Sequence, residues 1–340
     1  MSSAPRTVNA FAAFEPSGRI VPFQYESRLL GPDDVEIKIS HCGICGSDIH
    51  HLDSGWKPTM YPCVFGHEII GDVSVVGVSV KHLAVGDRVG VGAQVWACLN
   101  KDPKRPCEEC GDGENAFCNR SVITYDANYE DGSMANFAFK IPGNIPSTAA
   151  APLLCAGVTV FTPLKRNVKP GDRVGVIVIG GLGHLAIQFI RALGATPVAF
   201  SRSADKEKEV RALGAEEFYN LSDPKDQKKA ENSVNVLLLT ADATNMPYNT
   251  FLTLVKKRGI FVMVGVPNDE VKFKPMFVVA KGIKWVGSLI GGIQAIQDML
   301  ALASEKNVRA IVQQMPMSKV NEGIAMMREG RVRYRVVLEN

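Results

Sequence analysis

The chain has 340 residues, 46% of them hydrophobic and 21% charged, and 38 basic against 35 acidic side chains leave a net charge of +3. That length exceeds one small core and predicts two domains. The near-neutral charge argues against nucleic acid or a charged membrane surface as partner. No apolar run is long enough to span a bilayer, and Met1–Thr7 lacks the apolar core of a signal peptide. A cytoplasmic location is therefore expected. Thiols stay reduced there, so the eight cysteines read as metal ligands and core residues rather than disulfides.

The first 140 or so residues read as short strands punctuated by turns. Val35–Ser40 alternates, Ile69–Val80 is β-branched and broken by glycine, and Gly86-Asp87-Arg88 turns into Val89–Val91. This suits a β-rich, barrel-like domain. From Val174 the rhythm changes. Candidate strands at Val174–Ile179, Pro197–Ser201, Val234–Thr240, Gly259–Val266 and Ile283–Leu289 are separated by helical segments such as His184–Leu193 and Tyr248–Lys257. Alternation of that kind predicts a doubly wound parallel sheet. Two helices, Ala295–Glu305 and Lys319–Glu329, and a last strand, Tyr334–Leu338, close the chain.

Two groups of residues are zinc-competent. Cys107-x2-Cys110-x7-Cys118 has the close spacing of a thiolate knuckle, and Cys98 is the candidate fourth ligand. Four thiolates would close the coordination sphere and make the site structural. Eight residues, Leu99–Pro106, separate Cys98 from Cys107. If they loop out, the ligands keep their places; if not, three cysteines bind metal poorly. The second group is Cys45, His67 and Cys155. These are far apart in sequence, and on chemistry alone three buried residues without metal account for them equally well. Cys42 and Cys63 read as small core residues.

Val178-Ile-Gly180-Gly181-Leu182-Gly183 stands where a strand meets a helix. Gly180 and Gly183 fit the second and third glycines of a Gly-x-Gly-x-x-Gly turn, and pyrophosphate would lie over Gly180–Leu182 at the positive end of the helix. Val178 occupies the first position, where glycine serves the tight turn. Either binding is weakened or the turn adjusts locally. The next strand ends in Ser201-Arg202-Ser203-Ala-Asp205-Lys206. Serine and two cations suit a 2′-phosphate and so NADP, although Asp205 offsets Lys206.

Cys45-Gly-Ser-Asp-Ile-His50, Gly66-His67-Glu68, Gly86–Gly92, Pro152–Thr159 and the ending Tyr334–Asn340 together resemble the zinc-dependent medium-chain alcohol dehydrogenases, closest to their cinnamyl alcohol dehydrogenase branch. The resemblance runs over nearly the whole chain. It implies an α/β protein: a β-rich GroES-like catalytic domain, residues 1–155 completed by 290–340, and a Rossmann dinucleotide-binding domain, residues 156–289. It implies that Cys45, His67 and Cys155 hold a catalytic zinc, with Glu68 beside it or exchanging onto it. Ser47 would contact the substrate oxygen, and His50 would pass its proton toward solvent. Thr159, Val266 and Ser288 join Gly180–Gly183, Ser201, Arg202 and Lys206 as implied cofactor positions. The implied activity is NADP-dependent interconversion of an aldehyde and an alcohol, aromatic or medium-chain aliphatic, in a homodimer. Trp56, Met60, Trp96 and Leu289 are candidates for an apolar pocket. A specialised alkene or imine reductase of the same fold and a non-catalytic NADPH sensor are the alternatives. The family carries a further strand near Asp131-Gly-Ser-Met-Ala135, where this chain runs directly on, leaving a neighbouring strand short of partners.

Overall fold

The computed structural model describes residues 5–125, 135–242 and 245–340. The expected loss of a strand at 131–134 falls outside them. The chain divides into two compact units. One comprises Met1–Cys155, Gly291–Ser304 and Arg309–Asn340; the other comprises Ala156–Ile290 and Glu305–Val308.

The first unit is built on a six-stranded sheet in the order Val312–Pro316, Arg335–Glu339, Val35–Ile44, Glu68–Val76, Arg88–Val91, Ala138–Lys140. A three-stranded sheet, Val21–Glu26, Thr7–Ala13, Cys63–Val64, accompanies it. Apolar clusters fill this unit, two of them on the main sheet. Ile44, Leu52, Ile324, Val336 and Leu338 form one; Val73, Val89, Val91 and Val95 form the other. Val337 pairs with Gly43, and Gly43 pairs with Glu68. The C-terminal strand therefore lies next to the strand that leads into Cys45, which in turn lies next to the strand that begins at Glu68. That register brings distant parts of the sequence to one place.

The second unit carries a six-stranded parallel sheet in the order Glu217–Asn220, Thr196–Ser201, Arg173–Ile177, Val234–Leu239, Val255–Met263, Lys284–Gly287. Its central strands are apolar on both faces, as burial under helices on both sides requires. Phe200, Leu237, Leu239, Phe251 and Phe261 are all at most 2% exposed, and each such side chain stabilises by about 1.5–3 kcal/mol. The order reverses between Arg173–Ile177 and Val234–Leu239. This is the point outside the carboxyl ends where doubly wound sheets bind ligands.

Several boundaries differ from expectation. The strand expected over Val174–Ile179 ends at Ile177, because Val178 turns to φ +67°. The helix expected to reach Lys257 stops at Leu254, and Val255 opens the next strand. The helix Ala156–Asn167 has Gly157, Pro163 and a run of β-branched residues, so propensity hides it. Burial of its first nine residues stabilises it instead. The edge strand Glu217–Asn220 is too short to show a period.

Candidate active site and metal centres

Cys45, His67, Glu68 and Cys155 are all buried, and their ligand atoms lie within 4.8 Å of one another. Cys45 ends the strand Val35–Ile44 and caps the helix Gly46–Leu52. Asp48, three residues on, organises this corner. Its Oδ2 accepts from the Cys45 backbone N–H at 2.7 Å, and its Oδ1 accepts from His67 Nδ1 at 3.2 Å. Fixing the proton on Nδ1 turns the lone pair of Nε2 outward. His67 is fully buried, and Nε2 has no hydrogen-bond partner. A carboxylate behind a ligand histidine is the usual arrangement at metal centres.

Cys45 Sγ and Cys155 Sγ are 4.0 Å apart. A tetrahedron with zinc–sulfur bonds of about 2.3 Å has edges of about 3.8 Å, so the pair fits one zinc. The contact with Cys155, together with Arg335 and His67, holds the Cys45 thiol well below its ordinary range; the same contact and burial push Cys155 up. Glu68 Oε1 is ion-paired with Arg335 Nη2, both side chains being buried, while Oε2 has no partner. Burial, only partly offset by Arg335, pushes the Glu68 carboxyl up to about 7. Gly43 leaves room for this carboxylate: a Cβ there would sit 2.0 Å from Oε2. A second orphaned acceptor beside the thiols matches an exchangeable ligand.

Ser47 Oγ lies 3.8 Å from Cys45 Sγ. The half-buried His50 stacks on Trp56, with ring centroids 4.3 Å apart, and Trp56 is itself 39% exposed. Tyr125 was not anticipated from the sequence. Its hydroxyl donates to Asp48 Oδ1 at 2.5 Å and touches His67 Nδ1, and its ring stacks on His51. Trp96 packs among Cys98, Cys107, Cys118 and Phe137, while Leu289 belongs to the second unit. Cys63 is a core residue; Cys42 is half-buried, and desolvation pushes its thiol up.

The four sulfurs of Cys98, Cys107, Cys110 and Cys118 also cluster within 4.8 Å, with Cys98–Cys110 at 3.5 Å and Cys107–Cys118 at 3.8 Å. Asn100 explains how the long gap is accommodated. Its Nδ2 donates to Cys107 O at 3.0 Å, and its Oδ1 accepts from Cys107 N–H at 2.8 Å. The residues between, 101–106, are all exposed and loop outward. Arg120 Nη2 donates to Cys98 Sγ at 2.9 Å and to Arg105 O at 2.7 Å, tying the loop to the cluster. The Asn100 backbone N–H and the neighbouring cysteines hold Cys98 down to about 6.

In the second unit the turn after Arg173–Ile177 leads into the helix Gly183–Ala192. Gly180 and Leu182 are partly open, and a Cβ on Gly180 would meet nothing nearer than a Val178 methyl at 4.0 Å. This is the space a pyrophosphate needs. Ser201 ends the adjacent strand, Arg202 and Lys206 are exposed, and Ser222 Oγ donates to Arg202 O at 2.8 Å, fixing that loop. Val266 is exposed beyond the strand ending at Met263. Ser288 follows Gly287, its hydroxyl buried without a partner. Thr159 lies on the helix Ala156–Asn167.

Two family models match this chain: the alcohol dehydrogenase GroES-like domain over residues 31–144 and the zinc-binding dehydrogenase domain over residues 181–305. The chain belongs to the zinc-containing medium-chain alcohol dehydrogenase family, with a GroES-like and a Rossmann-type domain. Its relatives place it in the cinnamyl alcohol dehydrogenase branch. The probable cinnamyl alcohol dehydrogenase 6 of Oryza sativa subsp. japonica is 37% identical over 352 residues, covering 98% of this chain and 96% of its own. Among solved structures, the cinnamyl alcohol dehydrogenase SbCAD4 of Sorghum bicolor superposes with a TM-score of 0.90 at 33% identity, covering 98% of both chains. A CAD from Helicobacter pylori complexed with NADP(H) gives 0.88 at 30% identity, again over 98% of both. The protein is thus an oxidoreductase of the alcohol dehydrogenase family. Among the described residues, no single helix is long and apolar enough to cross a membrane.

Proposed function

We propose that this enzyme is an NADPH-dependent zinc alcohol dehydrogenase that interconverts an aldehyde and an alcohol of aromatic or medium-chain aliphatic type. The observation that carries the reading is the buried His67 Nε2, orphaned and facing two thiols, with Asp48 behind its ring. Cys45, His67 and Cys155 would hold the catalytic zinc, with Glu68 as exchangeable ligand; Cys98, Cys107, Cys110 and Cys118 would hold a structural one. When bound, zinc polarises the substrate oxygen and the dinucleotide supplies or accepts hydride. The chain's own residues do the rest. Asp48 holds the Nδ1 proton of His67 and keeps the lone pair aimed at the metal. The Ser47 hydroxyl moves the substrate-oxygen proton without carrying charge. His50, whose imidazole can both accept and donate a proton, passes it toward solvent.

NADPH is favoured by Ser201, Arg202 and Lys206 at the end of Thr196–Ser201, where a carboxylate would favour NAD. The NADP(H) held by the Helicobacter pylori relative supports the same choice. A homodimer in the cytoplasm completes the reading. It is supported by the edge position of Lys284–Gly287 in its sheet and by the exposed Met276 and Val279 just before it in sequence.

The cofactor assignment is tested by kcat/KM for NADPH and NADH in wild type and Arg202→Ala, at fixed ionic strength because the contact is screened by salt. A charge-assisted phosphate contact of about 1.5–3 kcal/mol predicts a roughly ten- to hundredfold loss with NADPH and little change with NADH. Equal losses with both, or a wild-type preference for NADH, would overturn it.

A further inference from the structure

Val178, at the first position of the glycine motif, has a backbone conformation that favours glycine. Its φ is +67°, a left-handed conformation that is a true outlier for a β-branched residue. Such residues persist where their surroundings over-determine them. Here the surroundings are specific, and all lie within the dinucleotide-binding unit. The Thr240 hydroxyl is 2.6 Å from Val178 O and 2.9 Å from Ile177 O, so one proton serves two consecutive carbonyls. The Gly180 N–H donates to the same Val178 carbonyl at 3.0 Å. Gly183 closes the third side: a Cβ there would sit 2.4 Å from Val178 O and 3.3 Å from Thr240 Oγ1. Val178 as a residue is 37% exposed. The carbonyl, then, is what the protein grips. Thr240 directly follows Val234–Leu239, the strand across the reversal of sheet order from Arg173–Ile177.

We infer that Thr240 is a positioning residue for the dinucleotide. Its hydroxyl holds the Val178 carbonyl against the torsional preference of valine and so keeps the Gly180–Leu182 amides aimed at the pyrophosphate. The inference rests on the dinucleotide reading of this turn and adds a specific dependence. With glycine at 178 the left-handed turn is intrinsically accessible, and the clamp becomes largely redundant. With valine the clamp is needed. Thr240 and Val178 must therefore be energetically coupled, which a double-mutant cycle measures.

The experiment titrates zinc-loaded full-length protein with NADPH for wild type, Thr240→Val, Thr240→Ser, Val178→Gly and Val178→Gly/Thr240→Val, alongside melting curves without cofactor. Thr240→Val should weaken NADPH binding about tenfold, and Thr240→Ser should restore it to within about twofold. Val178→Gly should bind NADPH more tightly than wild type. In that background Thr240→Val should cost less than about threefold. Equal costs of Thr240→Val in both backgrounds, or a serine variant as weak as the valine one, would overturn the inference. If Thr240→Val does not fold, Val178→Gly decides alone: binding no tighter than wild type refutes the strain. A wild type that binds neither NADPH nor NADH would instead refute the dinucleotide reading itself.

Discussion

Asp48 accepts the Nδ1 proton of His67 across 3.2 Å, with His67 fully buried and Asp48 nearly so. Because the same carboxylate caps the backbone at Cys45, one residue orients two of the metal-competent side chains. Asp48→Ala should free the imidazole and lower zinc affinity about 10- to 100-fold. Competition with a chromogenic chelator measures this. Unchanged affinity would show that the ring is held by other contacts.

Glu68 and Arg335 form an ion pair at 0% and 3% side-chain exposure. Removing one partner leaves the other charged group buried and uncompensated. Arg335→Leu should cost about 3–5 kcal/mol in chemical denaturation, and Glu68→Gln/Arg335→Leu distinctly less. Equal losses would mean that the pair is not coupled.

The structural cluster depends on Asn100 as well as on its thiols. Asn100→Ala removes both bonds to the Cys107 backbone and should cost about 2 kcal/mol, near 1 kcal/mol for each. Cys110→Ser should remove one of two zinc ions per chain and lower the melting temperature further, because structural metal contributes directly to folding. A Cys110→Ser protein with normal melting and two zinc ions would contradict the assignment.

Asp53 and Arg328 make a bidentate surface pair at 2.5 and 2.8 Å. The bond to Arg328 lowers the Asp53 pKa below its ordinary 3.8. Since the folded value lies below the unfolded one, the contribution is present above the ordinary value and is lost as pH falls through the folded one. The Arg328 and Asp53 side chains are 39% and 28% exposed, so solvent screens the pair. Asp53→Asn should cost less than about 1 kcal/mol at neutral pH. The gap between wild type and variant should close below about pH 4. A pH-independent gap would refute this origin.

Much of this was legible in the sequence where chemistry and spacing are local. Cys107, Cys110 and Cys118 declare themselves by spacing, and the run of buried strands from Val174 onward announces the doubly wound sheet. Asp48 carries a local signal too: it stands three residues after the helix-capping Cys45, the capping-box interval. Arg335 lies 267 residues from Glu68, and only strand pairing joins them. Tyr125 likewise reaches Asp48 through the fold alone. At Val178 the sequence left open whether the turn adjusts. The backbone instead keeps the glycine conformation, because Thr240, 62 residues away, grips the carbonyl. The long Cys98–Cys107 gap depended on the Asn100 bonds, which composition does not reveal.

The most direct test of the central claim is kcat/KM for NADPH-dependent reduction of an aromatic aldehyde by Cys155→Ser against wild type. Loss of one of three protein ligands should empty or loosen the catalytic zinc and lower this value by orders of magnitude. NADPH binding should largely persist, because Cys155 is not among the residues proposed to hold the dinucleotide. A Cys155→Ser protein lacking that zinc yet reducing aldehyde at the wild-type rate would contradict the account.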